Sequence, residues 1–288
     1  MKKFLIPVDF SEYSQGAVDY ALQIAVDSGH KLDFIHVFTN HSNLYVNKQM
    51  PTELLDPQIA IAKKNMGDLL ASCAAKYPNV KIETIFKDGN LFEEISKVTA
   101  FFEYDAVVMG TKGSSGLESV FLGSNTYDVI INTKTPVLAV PLQIKKYTHQ
   151  RIGLLCNFKQ GELDVLKQAI KAIGYDFELV LIHINKIDLS ITEINSKFKS
   201  WIAEIIKQTG IDNISYTIKS QASYIRAVED MTHAIDSVII DEQIDLLLIT
   251  KSKKSVFRKL IDENIVKKMA YDTSIPKFFA KVVTDQNT

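Results

Sequence analysis

The sequence predicts an α/β protein made of two tandem, doubly wound parallel sheets of five strands each. Three observations lead there. Short runs rich in Val, Ile, Leu and Phe alternate with longer amphipathic stretches, the pattern of successive βαβ crossovers. The strand-like runs are nearly continuous in apolar residues, as expected where helices cover both faces of a parallel sheet. Finally, the 288-residue chain exceeds the usual length of one domain, and it repeats itself.

In order along the first half, strands are expected near 3–9, 31–38, 80–86, 105–110 and 136–140, with helices near 13–28, 53–76, 90–103 and 123–133. The first strand runs through Phe4-Leu5-Ile6-Pro7-Val8 to an acidic end at Asp9. Ser11 offers a hydroxyl to cap the next helix, and Gly29 offers the left-handed residue that stops it. Asp33-Phe34-Ile35-His36-Val37 supplies the second strand, and Ala106-Val107-Val108-Met109 the fourth. Right-handed crossovers then wind the sheet in both directions. The series restarts after residue 150. Lys3-Phe4-Leu5-Ile6-Pro7-Val8-Asp9-Phe10 has its counterpart in Arg151-Ile152-Gly153-Leu154-Leu155-Cys156-Asn157-Phe158, and His36 has its counterpart in His183. Asp105 and Pro136 recur 140 positions later as Asp245 and Pro276, with no gap needed between them. The polar stretch 143–150 therefore divides domains at 1–145 and 146–288.

Composition narrows the function classes. With 33 basic and 34 acidic residues the net charge is −1, so no global field draws the chain to nucleic acid or to an anionic membrane. No stretch of about 18 apolar residues occurs. Met1-Lys2-Lys3 leads directly into a strand too short for a signal segment, and a cytoplasmic location is expected. Cys73 and Cys156 have neither disulfide nor metal spacing and read as buried thiols. His30, His41, His149 and His233 lack ligand spacing; the recurrence of His36 at His183 favours a structural role for both.

Chemistry concentrates where the fourth strand ends. Met109-Gly110-Thr111-Lys112-Gly113 is followed, after nine residues, by Gly123-Ser124. Glycine lets the backbone take positive φ and approach a ligand, and the free amides of a helix start attract anions. Strand, glycine loop and helix start form a phosphate-binding layout, although neither G-x-x-x-x-G-K-[ST] nor G-x-G-x-x-G is present. The amides around Gly110, Gly113, Gly123 and Ser124, with Asn125 next in the helix, can surround phosphate oxygens. Ser124 can also cap that helix. Lys112 either adds positive charge to a phosphate or points into water. Ligands of such sheets sit at the C-terminal strand ends where the winding reverses.

The pattern Gly110-x2-Gly113-x9-Gly123-Ser124 resembles the ATP-binding signature of the universal stress protein family, and Phe4 to Ser11 resembles that family's first strand with its acidic end. Thr135-Pro136-Val137-Leu138-Ala139-Val140-Pro141 is similar to its last strand, so the resemblance covers about residues 1–142. It implies a Rossmann-like strand order of 3-2-1-4-5. It also implies that Pro7, Val8 and Asp9 approach adenine and ribose, that Val37 lines the base pocket and that Met109 lies beneath the ribose. The implied ligand is ATP, or AMP or ADP in its place, with Mg2+ as an optional companion. Family members are similar in pairing their final edge strands between subunits, which implies an internal pseudo-dimer through strands 136–141 and 276–281.

The second half departs from this pattern at every diagnostic position: Asp9 becomes Asn157, Gly110 becomes Thr250, Gly113 becomes Lys253, Gly123 becomes Glu263 and Ser124 becomes Asn264. A carboxylate at Glu263 opposes a phosphate, so one ligand per chain is expected. The leading reading is a stress-response protein whose nucleotide occupancy changes a surface read by a protein partner. The alternatives are a slow Mg-dependent ATPase using Asp9 and a scaffold that binds no nucleotide. Assembly beyond the internal pair is left open.

Overall fold

The computed structural model describes residues 2–38, 57–111, 124–144, 147–185, 189–220, 228–251 and 275–282. Its elements are β1 (Lys3–Pro7), α1 (Glu12–Ser28), β2 (Lys31–Phe38), α2 (Pro57–Lys76), β3 (Ile82–Asp88), α3 (Leu91–Phe101), β4 (Ala106–Gly110), α4 (Ser124–Asn132) and β5 (Val137–Val140). The second half follows with β6 (Arg151–Leu155), α5 (Gln160–Ile173), β7 (Glu178–Asn185), α6 (Ile191–Thr209), β8 (Ile214–Ser220), α7 (Val228–Asp241), β9 (Leu246–Lys251) and β10 (Lys277–Lys281).

The strands form one sheet in the order β3-β2-β1-β4-β5-β10-β9-β6-β7-β8. Each half has the 3-2-1-4-5 order, and every pairing within a half is parallel. The two five-stranded units meet through their last strands: β5 and β10 pair antiparallel, Leu138 opposite Phe278, and make one continuous sheet. Fusion has a physical reason, because each half ends in an apolar edge strand whose unpaired backbone groups need a partner.

Alternation along the strands divides the core into two layers. Phe4, Ile6, Val8, Phe34, Val108 and Leu138 face α1 and α2, a layer continued in the second half by α5 and α6. Leu5, Ile35, Val107, Met109, Val137 and Ala139 face α3 and α4, a layer continued by α7. Phe4, Phe34, Phe198, Phe278 and Phe279 are wholly buried, each contributing about 1.5–3 kcal/mol relative to exposure.

The expected stop and start signals of α1 are present. Ser11 Oγ accepts from Ser14 N at 3.2 Å, and Gly29, at φ 72°, donates its N–H to Ala25 O. The expected strand at 80–86 lies two residues later, because β3 stays paired with β2 as far as Phe38 opposite Asp88. The first strand ends at Pro7 and not at Asp9, the third helix spans Leu91–Phe101, and α2 is described from Pro57. Asn90 caps the third helix by accepting from Phe92 N and Glu93 N. Both cysteines are buried and unpaired, and burial pushes the Cys73 thiol up to about 11.

The repeat extends to the N-terminal strand ends. Asp105 accepts from Lys3 N at 3.2 Å, and Asp245 accepts from Arg151 N at 3.0 Å. Asp105 also receives Lys171 Nζ at 3.0 Å, a bridge between the halves. Burial alone would raise the Asp105 carboxyl; His30, Lys171 and Lys3 N–H bring it below the usual range. The connection between halves is packed as well: Tyr147 N donates to Gln23 Oε1 at 3.1 Å, and its ring meets Tyr20 edge-on at 5.2 Å.

Candidate functional site

The strand order places the C-terminal ends of β2, β1 and β4 side by side. Pro7 pairs with Ile35, and Leu5 pairs with Val107, so Pro7, Val37 and Met109 converge from distant parts of the sequence. Met109 is buried in the α3/α4 layer, and Val37 packs against it. Val8 does not join them. Its side chain belongs to the opposite layer, its N–H donates to Ile35 O at 2.9 Å, and its carbonyl accepts from His36 Nδ1 at 2.7 Å.

Asp9 lies exposed just beyond β1. Its Oδ1 accepts from Ser11 N at 3.0 Å and from Ser11 Oγ at 2.5 Å. One carboxylate oxygen thus orders the turn that starts α1, a local use common for Asp. Between them Phe10 takes a left-handed φ of 63°, and Phe158 repeats this at 61°. Such a conformation costs about 1–3 kcal/mol in a bulky residue. In both halves it is braced by a histidine: Phe10 lies 4.8 Å from the His36 ring and Phe158 5.1 Å from the His183 ring. His183 Nδ1 meets Cys156 O at 2.8 Å, as His36 meets Val8 O. A carbonyl only accepts, so each Nδ1 carries the proton. Burial lowers the His183 pKa and keeps that ring neutral.

Gly110 ends β4 with no room for a side chain. A Cβ there would lie 2.5 Å from Tyr13 O and 2.7 Å from Tyr13 C, both backbone atoms of the first turn of α1. Its φ is not positive, which corrects the expectation of a left-handed glycine: close strand–helix packing demands the residue. The carbonyl of Gly110 accepts from the buried Thr126 Oγ1 at 3.0 Å, and Thr111 N donates to Val140 O at 3.1 Å. Thr126 thereby ties the first turn of α4 to the end of β4. The helix begins at Ser124 itself, followed by the exposed Asn125, one residue earlier than a Ser124 cap would require. Lys112, Gly113 and Gly123 lie outside the described residues, as do Lys253, Glu263, Asn264 and the side chain of Ser124.

Sequence reasoning missed Tyr13 and Thr126. A threonine three residues into a helix that follows Gly-Ser was the available sign for the second; nothing local marked the first.

The second half rearranges the same positions. Thr250 stands in place of Gly110, and Gly161 stands in α5 where α1 has Tyr13. A Cβ on Gly161 would meet Val282 Cγ2 at 2.6 Å. Close packing survives, but the helix now supplies the glycine. The acid moves too. Asn157 replaces Asp9 and Glu162 replaces Ser14; Glu162 is buried, and its Oε1 accepts from Asn157 N at 2.7 Å. Burial pushes its pKa up to about 7.

On the α1/α2 face, away from Met109, a cleft of about 410 Å³ opens between Val8, Phe10, Ser14, Asn65, Asp68 and Ser72. In the second half Cys156 stands where the first has Val8, and its thiol lies against Glu162 and Trp201.

Sequence and fold comparisons find relatives of the chain. The profile of the Universal stress protein family matches residues 1–141. A universal stress protein of Methanocaldococcus jannaschii is 30% identical over 139 residues, covering 48% of this chain and 81% of the relative. Universal stress protein YxiE of Bacillus subtilis is 28% identical over 144 residues, covering 48% of this chain and 97% of its own. The crystal structure of a universal stress protein from Archaeoglobus fulgidus matches with a TM-score of 0.67 at 19% identity, over 99% of this chain and 97% of that one, a likeness of fold through both halves.

Proposed function

The chain belongs to the universal stress protein family, and we propose that residues 1–145 bind one adenine nucleotide as a regulatory binding module, with residues 146–288 as a fixed structural partner. The ligand is ATP, or AMP or ADP in the same seat. Val37 and Met109 offer apolar walls to the base and ribose beside Pro7. Asp9 offers carboxylate acceptors to a hydroxyl or amino group. The amides around Gly113 and Gly123 and those opening α4 at Ser124 and Asn125 receive the phosphates, where a helix start contributes about 0.3–1 kcal/mol, rising to ~2 kcal/mol when partly buried. Lys112 adds charge at the loop. Occupancy changes a surface that another protein reads.

One observation carries this reading: the Thr126–Gly110 hydrogen bond of 3.0 Å brings the opening turn of α4 to the strand ends that also present Asp9, Val37 and Met109. Calorimetric titration with ATP, ADP and AMP, with and without Mg2+, tests it in the full chain and in Gly113→Lys with Gly123→Glu, which copies the second half. The native chain is expected to bind, and the double variant to stay folded and bind at least a hundredfold more weakly, a loss of ~2.7 kcal/mol. Undiminished affinity in the variant would remove the proposed cradle.

A further inference from the structure

Helix α4 is nine residues long, with no basic side chain in its own last turn. A helix of this length is marginal without tertiary support, and its last carbonyls have no partners within the helix. The other half supplies donors at this end. Lys281 Nζ donates to the O of Asn132, the last residue of α4, at 3.1 Å, and Lys251 Nζ donates just past the helix, to Thr133 O at 3.4 Å and to Thr135 O at 3.1 Å in the turn before β5. The two lysines end neighbouring parallel strands, β10 and β9, and sit opposite one another in register. The antiparallel β5–β10 seam points these strand ends at the C-terminus of α4.

This placement is costly and one-sided. Lys251 is 3% exposed, and an ammonium so deeply buried loses hydration that only close acceptors offset. Burial and the charge of Lys281 hold its pKa well below the usual lysine range. At the 140-residue spacing of the repeat, Thr111 and Pro141 correspond to Lys251 and Lys281. The first half therefore has no lysine at either equivalent position, and the supported helix is the one whose opposite end is tied to Gly110 by Thr126.

We propose that Lys251 and Lys281 are positioning residues for the nucleotide crevice, holding α4 from its C-terminal end so that its N-terminal turn stays aligned with β4. The effect on binding rests on the nucleotide reading given above; the hold on α4 does not.

The full-length chain is compared with Lys281→Met, Lys281→Arg and Lys251→Met by amide hydrogen exchange without nucleotide and by calorimetric titration with ATP. Both Met variants are expected to raise exchange within 126–132 and to weaken ATP binding, by roughly threefold for Lys281→Met, the size of one helix-terminus interaction. Lys281→Arg keeps a donor and is expected to restore both. Unchanged exchange in folded Lys281→Met overturns the proposal whether or not the chain binds ATP. Raised exchange with unchanged ATP affinity overturns the positioning role. Should Lys251→Met fail to fold, the Lys281 pair alone decides. Should the native chain bind no nucleotide, the functional reading falls, and with it the positioning role, while the exchange result still judges the hold on α4.

Discussion

The two halves share a strand order, a histidine brace and a left-handed phenylalanine, yet they part at the residues around the proposed crevice. Phe10 and Phe158 have nearly the same φ, and His36 and His183 hold the same backbone carbonyl. These features build the reversal after the first strand of each half, so the fold requires them wherever it is repeated. The carboxylate is under no such requirement. In the first half Asp9 keeps it at the open strand end; in the second, Glu162 carries it into the helix layer beside Cys156 and Trp201. The glycine crosses in the other direction, from β4 in the first half to α5 in the second. The histidine brace and the left-handed phenylalanine survive duplication in place, while the carboxylate and the close-packing glycine change position.

The glycine exchange gives the largest test of this contrast. Gly110→Ala drives a methyl into the Tyr13 carbonyl, which backbone geometry holds in place; a loss of about 3 kcal/mol is expected. Gly161→Ala meets only the end of the Val282 side chain, which can turn aside, and about 1 kcal/mol is expected. Denaturant titration of both variants checks the order, and equal losses would erase the distinction between the two contacts.

Moving the acid has a consequence in pH. Glu162 holds its proton to about 7 in the folded chain, against an ordinary value of 4.5. The unfolded chain releases that proton earlier, so the group's contribution to stability is greatest below 4.5 and falls as pH rises toward 7. The expected decline is on the order of 2–3 kcal/mol across that window. The difference between the native chain and Glu162→Gln, measured by denaturation from pH 4.5 to 7.5, isolates it. A difference that stays flat with pH would mean that Glu162 ionises normally.

The bridge between the halves gives the smallest effect and the opposite sign. Asp105 is held below the ordinary 3.8, so its contribution is present above that pH and is lost as pH falls through the lowered value. Lys171 is 62% exposed, and water screens the pair. Lys171→Met is expected to cost about 0.5 kcal/mol at pH 7 and nothing in strong acid; thermal unfolding at both pH values checks this.

Much of the architecture was legible because it depends on local chemistry. Apolar runs located the strands, Ser11 and Gly29 bounded the first helix, and the 140-residue repeat announced a second fold before any strand was paired. Individual contacts across the sheet were not. The nearness of Tyr13 to Gly110 depends on how α1 crosses β4, and no spacing rule encodes it, so the glycine read as a ligand contact when packing already required it. The resemblance grouped Val8 with Pro7 and Asp9, whereas alternation along β1 turns the Val8 side chain to the other layer. The lysines that reach α4 were hidden because their partners belong to the opposite half and meet them only across the β5–β10 seam. Pro7, Val37 and Met109 end neighbouring strands, as the strand order requires.

The most direct test is native mass spectrometry of the intact chain with saturating ATP. The account predicts one nucleotide per chain, reduced to none in Gly113→Lys with Gly123→Glu. Two nucleotides per chain would make the halves functionally equal, and none would leave a duplicated α/β fold without the proposed ligand.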